Sequence, residues 1–129
     1  MESLIVTSSD LRRLVDSIGL TDFMRAIIQR VESYLSLYSD SQFEMPARAG
    51  FVQSDNDCPS ALEWMPVLRR HHDVALKIVG YNPLSPTSRG LPTVVAHSAI
   101  FDSRTGGLKV LCDGTFLTAL RTGAASAIA

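Results

Sequence analysis

At 129 residues the chain holds one domain's worth of sequence, enough for a single hydrophobic core. Apolar residues make up 46% and charged residues 19%, which excludes a disordered composition. The net charge of -1 offers no electrostatic drive toward nucleic acid or an anionic membrane surface, so neither is an expected partner. No apolar run approaches the ~20 residues needed to cross a bilayer. The N-terminus, Met1 to Thr7, lacks the basic start and long apolar stretch of a signal peptide. Cys58 and Cys112 lie far apart without metal-type spacing, so they read as free thiols in a reducing cytosol. A cytoplasmic location is the expectation.

Leu4-Ile5-Val6 is a short β-prone run, read as a first strand. Thr7, Ser8 or Ser9 can cap a helix carrying Leu11, Leu14, Val15 and Ile18 on one side, with Asp10, Arg12, Arg13 and Asp16 on the other. Gly19 breaks it. A second helix starts near Thr21 and Asp22, with the stripe Phe23, Ile27, Val31, Leu35 and Tyr38 facing a sheet, and ends at Ser39-Asp40-Ser41. From Phe43 the pattern turns extended. Residues 47–53 read as a strand that puts Arg48 on one face with Gly50 and Val52, beside a bare backbone patch. Residues 54–60 form a polar turn, and Ala61 to Met65 a strand ending at Pro66.

Arg69 to Asp73 reads as a solvated turn. Its histidine pair invites a metal, but adjacent residues of an extended chain point to opposite faces, so no metal is expected. Residues 74–80 are the most apolar strand, interrupted only by Lys77. Tyr81 to Arg89 is a loop, Thr93 to Phe101 a long strand, and Asp102 to Gly107 a hairpin turn with Gly106 and Gly107 at positive φ. Residues 108–112 return as the partner strand. Asp113 and Thr115 are N-cap candidates for a helix that runs to Ala129 and reads as cut through. The fold class is therefore α+β: a mainly antiparallel mixed sheet, two N-terminal helices packed on it, and a C-terminal helix.

Arg48, Lys77 and Arg121 stand out as cations in small or apolar surroundings. Cations gathered in a partly dry cleft repel one another unless an anion joins them, and a substrate carboxylate is the simplest such anion. On the residues alone, three separate structural ion pairs with Asp or Glu are the favoured explanation.

One stretch carries a resemblance. Leu117-Thr-Ala-Leu-Arg-Thr-Gly-Ala-Ala-Ser-Ala127 resembles the signature of the ornithine cyclodeaminase/mu-crystallin family, as do Gly90-Leu-Pro-Thr-Val94, Lys77-Ile-Val79 and Asn82-Pro83, in the same order. The likeness is clear from about Glu63 onward. It implies that Arg48, Lys77 and Arg121 hold the α-carboxylate of an amino or imino acid. It implies that Glu63, in Glu-Trp-Met-Pro, lies close to the substrate. It places Thr93, Arg121 and Thr122 beside a nicotinamide cofactor, NAD or NADP. Family members oxidise the substrate α-carbon to an imine; in cyclodeaminases the side-chain amine then closes the ring and ammonia leaves.

The chain contains no G-x-G and so no dinucleotide fingerprint. The resemblance implies that the family's nucleotide-binding Rossmann domain, with its catalytic aspartate, is expected beyond Ala129. Residues 1–129 are thus expected to be a substrate-binding and dimerisation domain that binds no cofactor alone and is inactive alone. It should form a homodimer or higher oligomer through its sheet. The leading function is ornithine cyclodeaminase-like, L-ornithine to L-proline plus ammonia. The alternatives are a non-catalytic mu-crystallin-like ligand-binding or assembly module, a ketimine reductase or an alanine dehydrogenase.

Overall fold

The computed structural model describes residues 2–38, 41–54 and 59–129. In chain order the elements are β1 (Leu4–Val6), α1 (Ser8–Ile18), α2 (Leu20–Leu37), β2 (Phe43–Glu44), β3 (Ala49–Gln53) and β4 (Ser60–Arg69). Then come β5 (Asp73–Tyr81), α3 (Ser85–Arg89), β6 (Val94–Asp102), β7 (Leu108–Asp113) and α4 (Thr115–Ile128). The strands form one seven-stranded sheet in the order β1-β7-β6-β5-β4-β2, with β3 also paired to β4. Every pairing is antiparallel except the parallel β1–β7 contact. This is the α+β fold expected from the pattern. No described helix is long and apolar enough to cross a membrane.

Local chemistry explains the helix boundaries. Thr7 and Asp10 close a capping box: Thr7 Oγ1 accepts from the Asp10 N–H at 3.3 Å, and the Asp10 carboxylate accepts from the Thr7 N–H at 2.8 Å. The Thr7 hydroxyl, which donates to the Asp10 carboxylate at 2.6 Å, then the Thr7 N–H and Arg13 hold that carboxyl down at about 2. Asp10 therefore serves the cap and is more than part of the outer face. Gly19, at φ 84°, turns the chain from α1 straight into α2 in one residue. α2 ends at Leu37 with Tyr38 as its C-cap, ahead of the expected Ser39-Asp40-Ser41; Ser39, Asp40 and, in the polar turn, residues 55–58 with Cys58 lie outside the described residues.

Four expectations need correction. The strand containing Pro66 does not stop there; β4 runs on to Arg69. On its outer side β3 pairs with residues 60–64 and β2 with residues 68–69, so Pro66 falls in the gap between them and its missing N–H breaks no ladder on that side. The loop after Tyr81 contains the helical turn α3, capped by Gly90 in the left-handed conformation. In the β6–β7 turn only Gly106 has positive φ. The N-cap of α4 is Gly114; Asp113 instead accepts a bond from the Thr115 N–H at 2.9 Å, and the Thr115 hydroxyl accepts from the Ala96 N–H at 3.0 Å.

The pleat sorts side chains onto two faces. One face is covered by α2 and α4. There Phe23 stacks on Phe116 with ring centroids 6.3 Å apart, and Ala124 and Ala96 are fully buried. A Cβ on Gly123 would sit 3.4 Å from Met24 Cε. Part of the small-residue surface of α4 is thus the seat of α2, where slender side chains let two helices approach. The opposite face is bare and apolar: Ile5, Phe51, Leu62, Ile78 and Leu111 are all exposed, Phe51 at 68%. A monomer rarely leaves so much contiguous apolar surface in water.

At one end of the covered face, Asp73 and Asp102 are pinned rather than solvated. Lys109 Nζ donates to Asp73 at 2.6 Å and lies 3.2 Å from Asp102, while Arg69 reaches Asp73 at 2.8 Å. Lys109 is the chief cause holding Asp73 below the usual carboxylate range. Asp102 is held down first by the N–H groups of Thr105 and Arg104. The Lys109 ammonium is raised in return by the two carboxylates. These residues come from β4, β5, β6 and β7, so the network ties the hairpin ends together.

Candidate functional site

Lys77 stands in the middle of β5 on the helix-covered face. Its register partners there are Met65 on β4 and Ser98 on β6. The next rung toward the β5–α3 end is Glu63, Val79 and Ala96, and Gly50 of β3 pairs with Glu63. Lys77 and Glu63 are therefore diagonal neighbours across β4 and β5, one rung apart on one face.

The start of α4 closes over this region from the β6 side. The Gly114 N–H donates to the Ala96 carbonyl at 2.8 Å. A Cβ at Gly114 would meet Ser98 Oγ at 3.1 Å and the Ala96 backbone at 3.4 Å, so only a glycine lets the helix begin this close to the sheet without a shift. Arg121 follows nearly two turns later. Its charge reaches Lys77: the ammonium is pushed below the ordinary lysine value, first by burial and then by the Arg121 guanidinium. A charge on α4, exposed to solvent, thus adds to burial in disfavouring the Lys77 ammonium, and an anion beside Lys77 would relieve both.

Arg48 approaches from the other side. It lies just before β3, two residues from Gly50, and its Nη1 is 3.5 Å from Glu63 Oε2. Both side chains are open to water, Arg48 at 67% and Glu63 at 37%. Gly50 makes this possible, since a Cβ there would fall 2.4 Å from the Leu62 carbonyl and 3.0 Å from Glu63 Cγ. The sheet therefore places Arg48 and Glu63 together and Glu63 one rung from Lys77, while the Arg121 charge acts on Lys77 from α4.

The chain matches the sequence model of the ornithine cyclodeaminase/mu-crystallin family over residues 9–129. It belongs to this family. The match begins far ahead of Glu63, so the N-terminal helices are part of the family pattern. Among curated relatives, the L-lysine cyclodeaminase of Streptomyces rapamycinicus is 30% identical over 130 residues, covering 100% of this chain and 38% of the relative. Among solved structures, a lysine cyclodeaminase described as recognising L-lysine, L-ornithine and L-2,4-diaminobutyric acid superposes with a TM-score of 0.91. It is 38% identical and covers 100% of this chain and 38% of that one. An archaeal alanine dehydrogenase dimer with bound NAD gives a TM-score of 0.78 at 31% identity, covering 97% of this chain and 35% of that one. The chain spans under two-fifths of the length of these relatives.

The other residues to which the family likeness points lie at the margin. Thr93 immediately precedes β6, and its carbonyl accepts from the Asn82 N–H at 2.9 Å. That level is five residues beyond Lys77 along β5, ~17 Å at strand rise. Thr93 therefore stands at the rim of the sheet, apart from the cations. Thr122 is exposed on α4, and its hydroxyl donates to the Thr118 carbonyl at 2.8 Å, leaving its lone pairs free. Neither the Lys77–Arg121 pair nor Glu63 lines the roomy cavity of about 440 Å³ between α2 and the sheet, which Tyr34, Tyr38, Phe43, Val67, Ala75 and Ile100 enclose. Arg48 and Arg121 are open to solvent and Lys77 is half-buried.

Two features of the site escape sequence inspection. The Arg48–Glu63 pairing depends on the β3–β4 register, and the pressure of Arg121 on Lys77 depends on how α4 leaves β7. The only local signal was Gly50 beside Arg48.

Proposed function

We propose that residues 1–129 are the substrate-binding and dimerisation part of an NAD(P)-dependent amino-acid cyclodeaminase or dehydrogenase, with L-ornithine as lead substrate and L-proline and ammonia as products. The observation that carries this reading is the half-buried Lys77 on the helix-covered sheet face, one rung from the Arg48–Glu63 pair, its ammonium disfavoured by burial and then by the Arg121 charge. A small carboxylate is the ligand that turns their repulsion into attraction. Arg121 offers a bidentate fork, Lys77 a compact charge, and Arg48 a third contact from the far side. Glu63 is placed to receive a second amino group. Similarity to a cyclodeaminase described as recognising three diamino acids supports that substrate class.

The residues here fit only the edge of a nicotinamide cofactor. Thr93 at the sheet margin and, separately, Thr122 and Arg121 on α4 offer polar atoms, and the chain has no glycine-rich turn for a pyrophosphate. When bound, NAD supplies the acceptor for a hydride from the substrate α-carbon. The part played by this chain is to hold the carboxylate, orient the α-carbon and keep the side-chain amine within reach. In the full-length protein with NAD, L-ornithine should give L-proline and ammonia, while residues 1–129 alone should give no turnover. Pyruvate from L-alanine with no reaction of ornithine would move the reading to alanine dehydrogenase, the other relative. No reaction of any amino or imino acid with either nucleotide would move it to a binding module.

The bare sheet face is the proposed subunit contact, in keeping with the dimer described for the archaeal relative. Ile78 stands at its centre on β5, exposed at 37%. Sedimentation at micromolar concentration should show a dimer or larger species for this chain. Ile78→Lys, which buries an unpaired ammonium in that contact, should yield monomers. A wild-type chain that sediments as a single monomeric species would rule the contact out.

A further inference from the structure

Arg48 and Glu63 satisfy each other across an exposed gap of 3.5 Å. Each is also an intended partner of a substrate: Arg48 for its carboxylate, Glu63 for a second ammonium. We propose that this ion pair is a counter-ion exchange that sets selectivity, opening at little cost for an amino acid with a second cationic group and at a net cost for one without.

The argument is one of accounting for charges. A diamino acid brings one new anion and one new cation. Its carboxylate takes Arg48 from Glu63, and its distal ammonium takes the place of Arg48 on Glu63, so every charge keeps a partner. A monoamino acid brings only the carboxylate to this end. Arg48 is then shared or withdrawn, and Glu63 stays behind as an anion close to the incoming carboxylate. Like charges in that position disfavour binding. Glu63 is thus a competitor of the ligand for Arg48 as well as a contact. A simple contact lacks that first role, and the two roles predict opposite signs. Gly50 is the positioning residue of the device: a Cβ there would meet Glu63 Cγ at 3.0 Å, so its bare backbone gives the carboxylate room to lie toward Arg48.

This proposal rests on the carboxylate site formed by Lys77 and Arg121. Its test is titration calorimetry of the full-length protein with L-ornithine and with L-norvaline, which has the same chain length and no distal amine. Glu63 is solvent-open, so Glu63→Gln should fold normally. The expected result is a crossover. The Glu63→Gln variant should bind L-ornithine about tenfold or more weakly, having lost a charge-assisted bond. It should bind L-norvaline about twofold to fivefold more tightly, the worth of the exposed ion pair no longer competing. L-norvaline affinity that stays the same or falls would overturn the exchange, since Glu63 would then be a contact alone. Failure of the underlying site reads differently: Lys77→Met would leave the wild-type affinity for both ligands unchanged.

Discussion

Lys77→Met should weaken L-ornithine binding by the full-length protein about tenfold to 150-fold and leave the folded state no less stable. The two effects come from one cause. The ammonium is half-buried and its charge is disfavoured first by that burial and then by the Arg121 guanidinium, so its charged form costs the folded state something that it does not cost the unfolded chain. Methionine keeps the length and apolar stem while removing the charge, and so relieves that cost. When a carboxylate is present the same charge becomes an asset. Losing a charge-assisted hydrogen bond costs about 1.5–3 kcal/mol, which is the fold-change above at 1.4 kcal/mol per decade. Arg121→Met should act in the same direction, and the two effects should fall short of additive because the groups share a ligand.

The pH dependence follows with a definite sign. Because the folded value of Lys77 lies below its ordinary one, its unfavourable contribution is complete at pH below the folded value. That contribution fades as pH rises through the folded value to the unfolded one. Carboxylate affinity runs the other way. It is highest with Lys77 charged and declines as pH climbs through the depressed value, earlier than an ordinary lysine would allow. Calorimetry across that alkaline range, with thermal denaturation of both proteins in parallel, separates the readings. A wild-type affinity that shows the same alkaline decline in Lys77→Met would remove Lys77 from the site. A marked loss of stability in the variant would show that the ammonium has a structural partner instead.

Much of the fold could be read along the chain because its signals are local. The stripe from Phe23 to Val31, the alternation through Val74 to Val79, and the Thr7 cap each act within a few residues. What could not be read is decided between strands. Pro66 looks like a strand end until the partners of β4 are known, and its tolerance comes from a gap between β2 and β3. Asp73 looks solvated until the register brings Lys109 and Asp102 beside it. The serine- and proline-rich run after Tyr81 hides a helical turn because its cap, Gly90, lies beyond the loop as first drawn. The site divides the same way. Lys77 and Arg121 are conspicuous as lone cations in apolar runs, yet nothing in their spacing says that one charge acts on the other. That depends on Gly114, whose missing side chain lets α4 press against Ala96 and Ser98.

Gly50→Ala should be among the most damaging small substitutions in the sheet, and its damage should be local. The added Cβ would lie 2.4 Å from the Leu62 carbonyl oxygen and 2.8 Å from Glu63 Cα, both backbone atoms that cannot rotate away. Relief requires β3 to move off β4. Overpacking of this kind costs about 1–3 kcal/mol. β3 is an edge strand with exposed side chains, so it can peel without unfolding the sheet. Amide exchange should therefore quicken across Ala49–Gln53 before it does in β5 or β6. Gly80→Ala is the matched control: its nearest neighbours would be the Val95 carbonyl at 3.8 Å and Leu62 Cδ1 at 3.9 Å, ordinary contacts. It should be neutral or stabilise slightly by narrowing the unfolded ensemble. Because β3 leads back to Arg48, Gly50→Ala should also pull that guanidinium from Glu63 and weaken L-ornithine binding, whereas Gly80→Ala should leave binding intact. If both variants melt alike and exchange alike, the close approach of β3 to β4 is not what holds Arg48 in place.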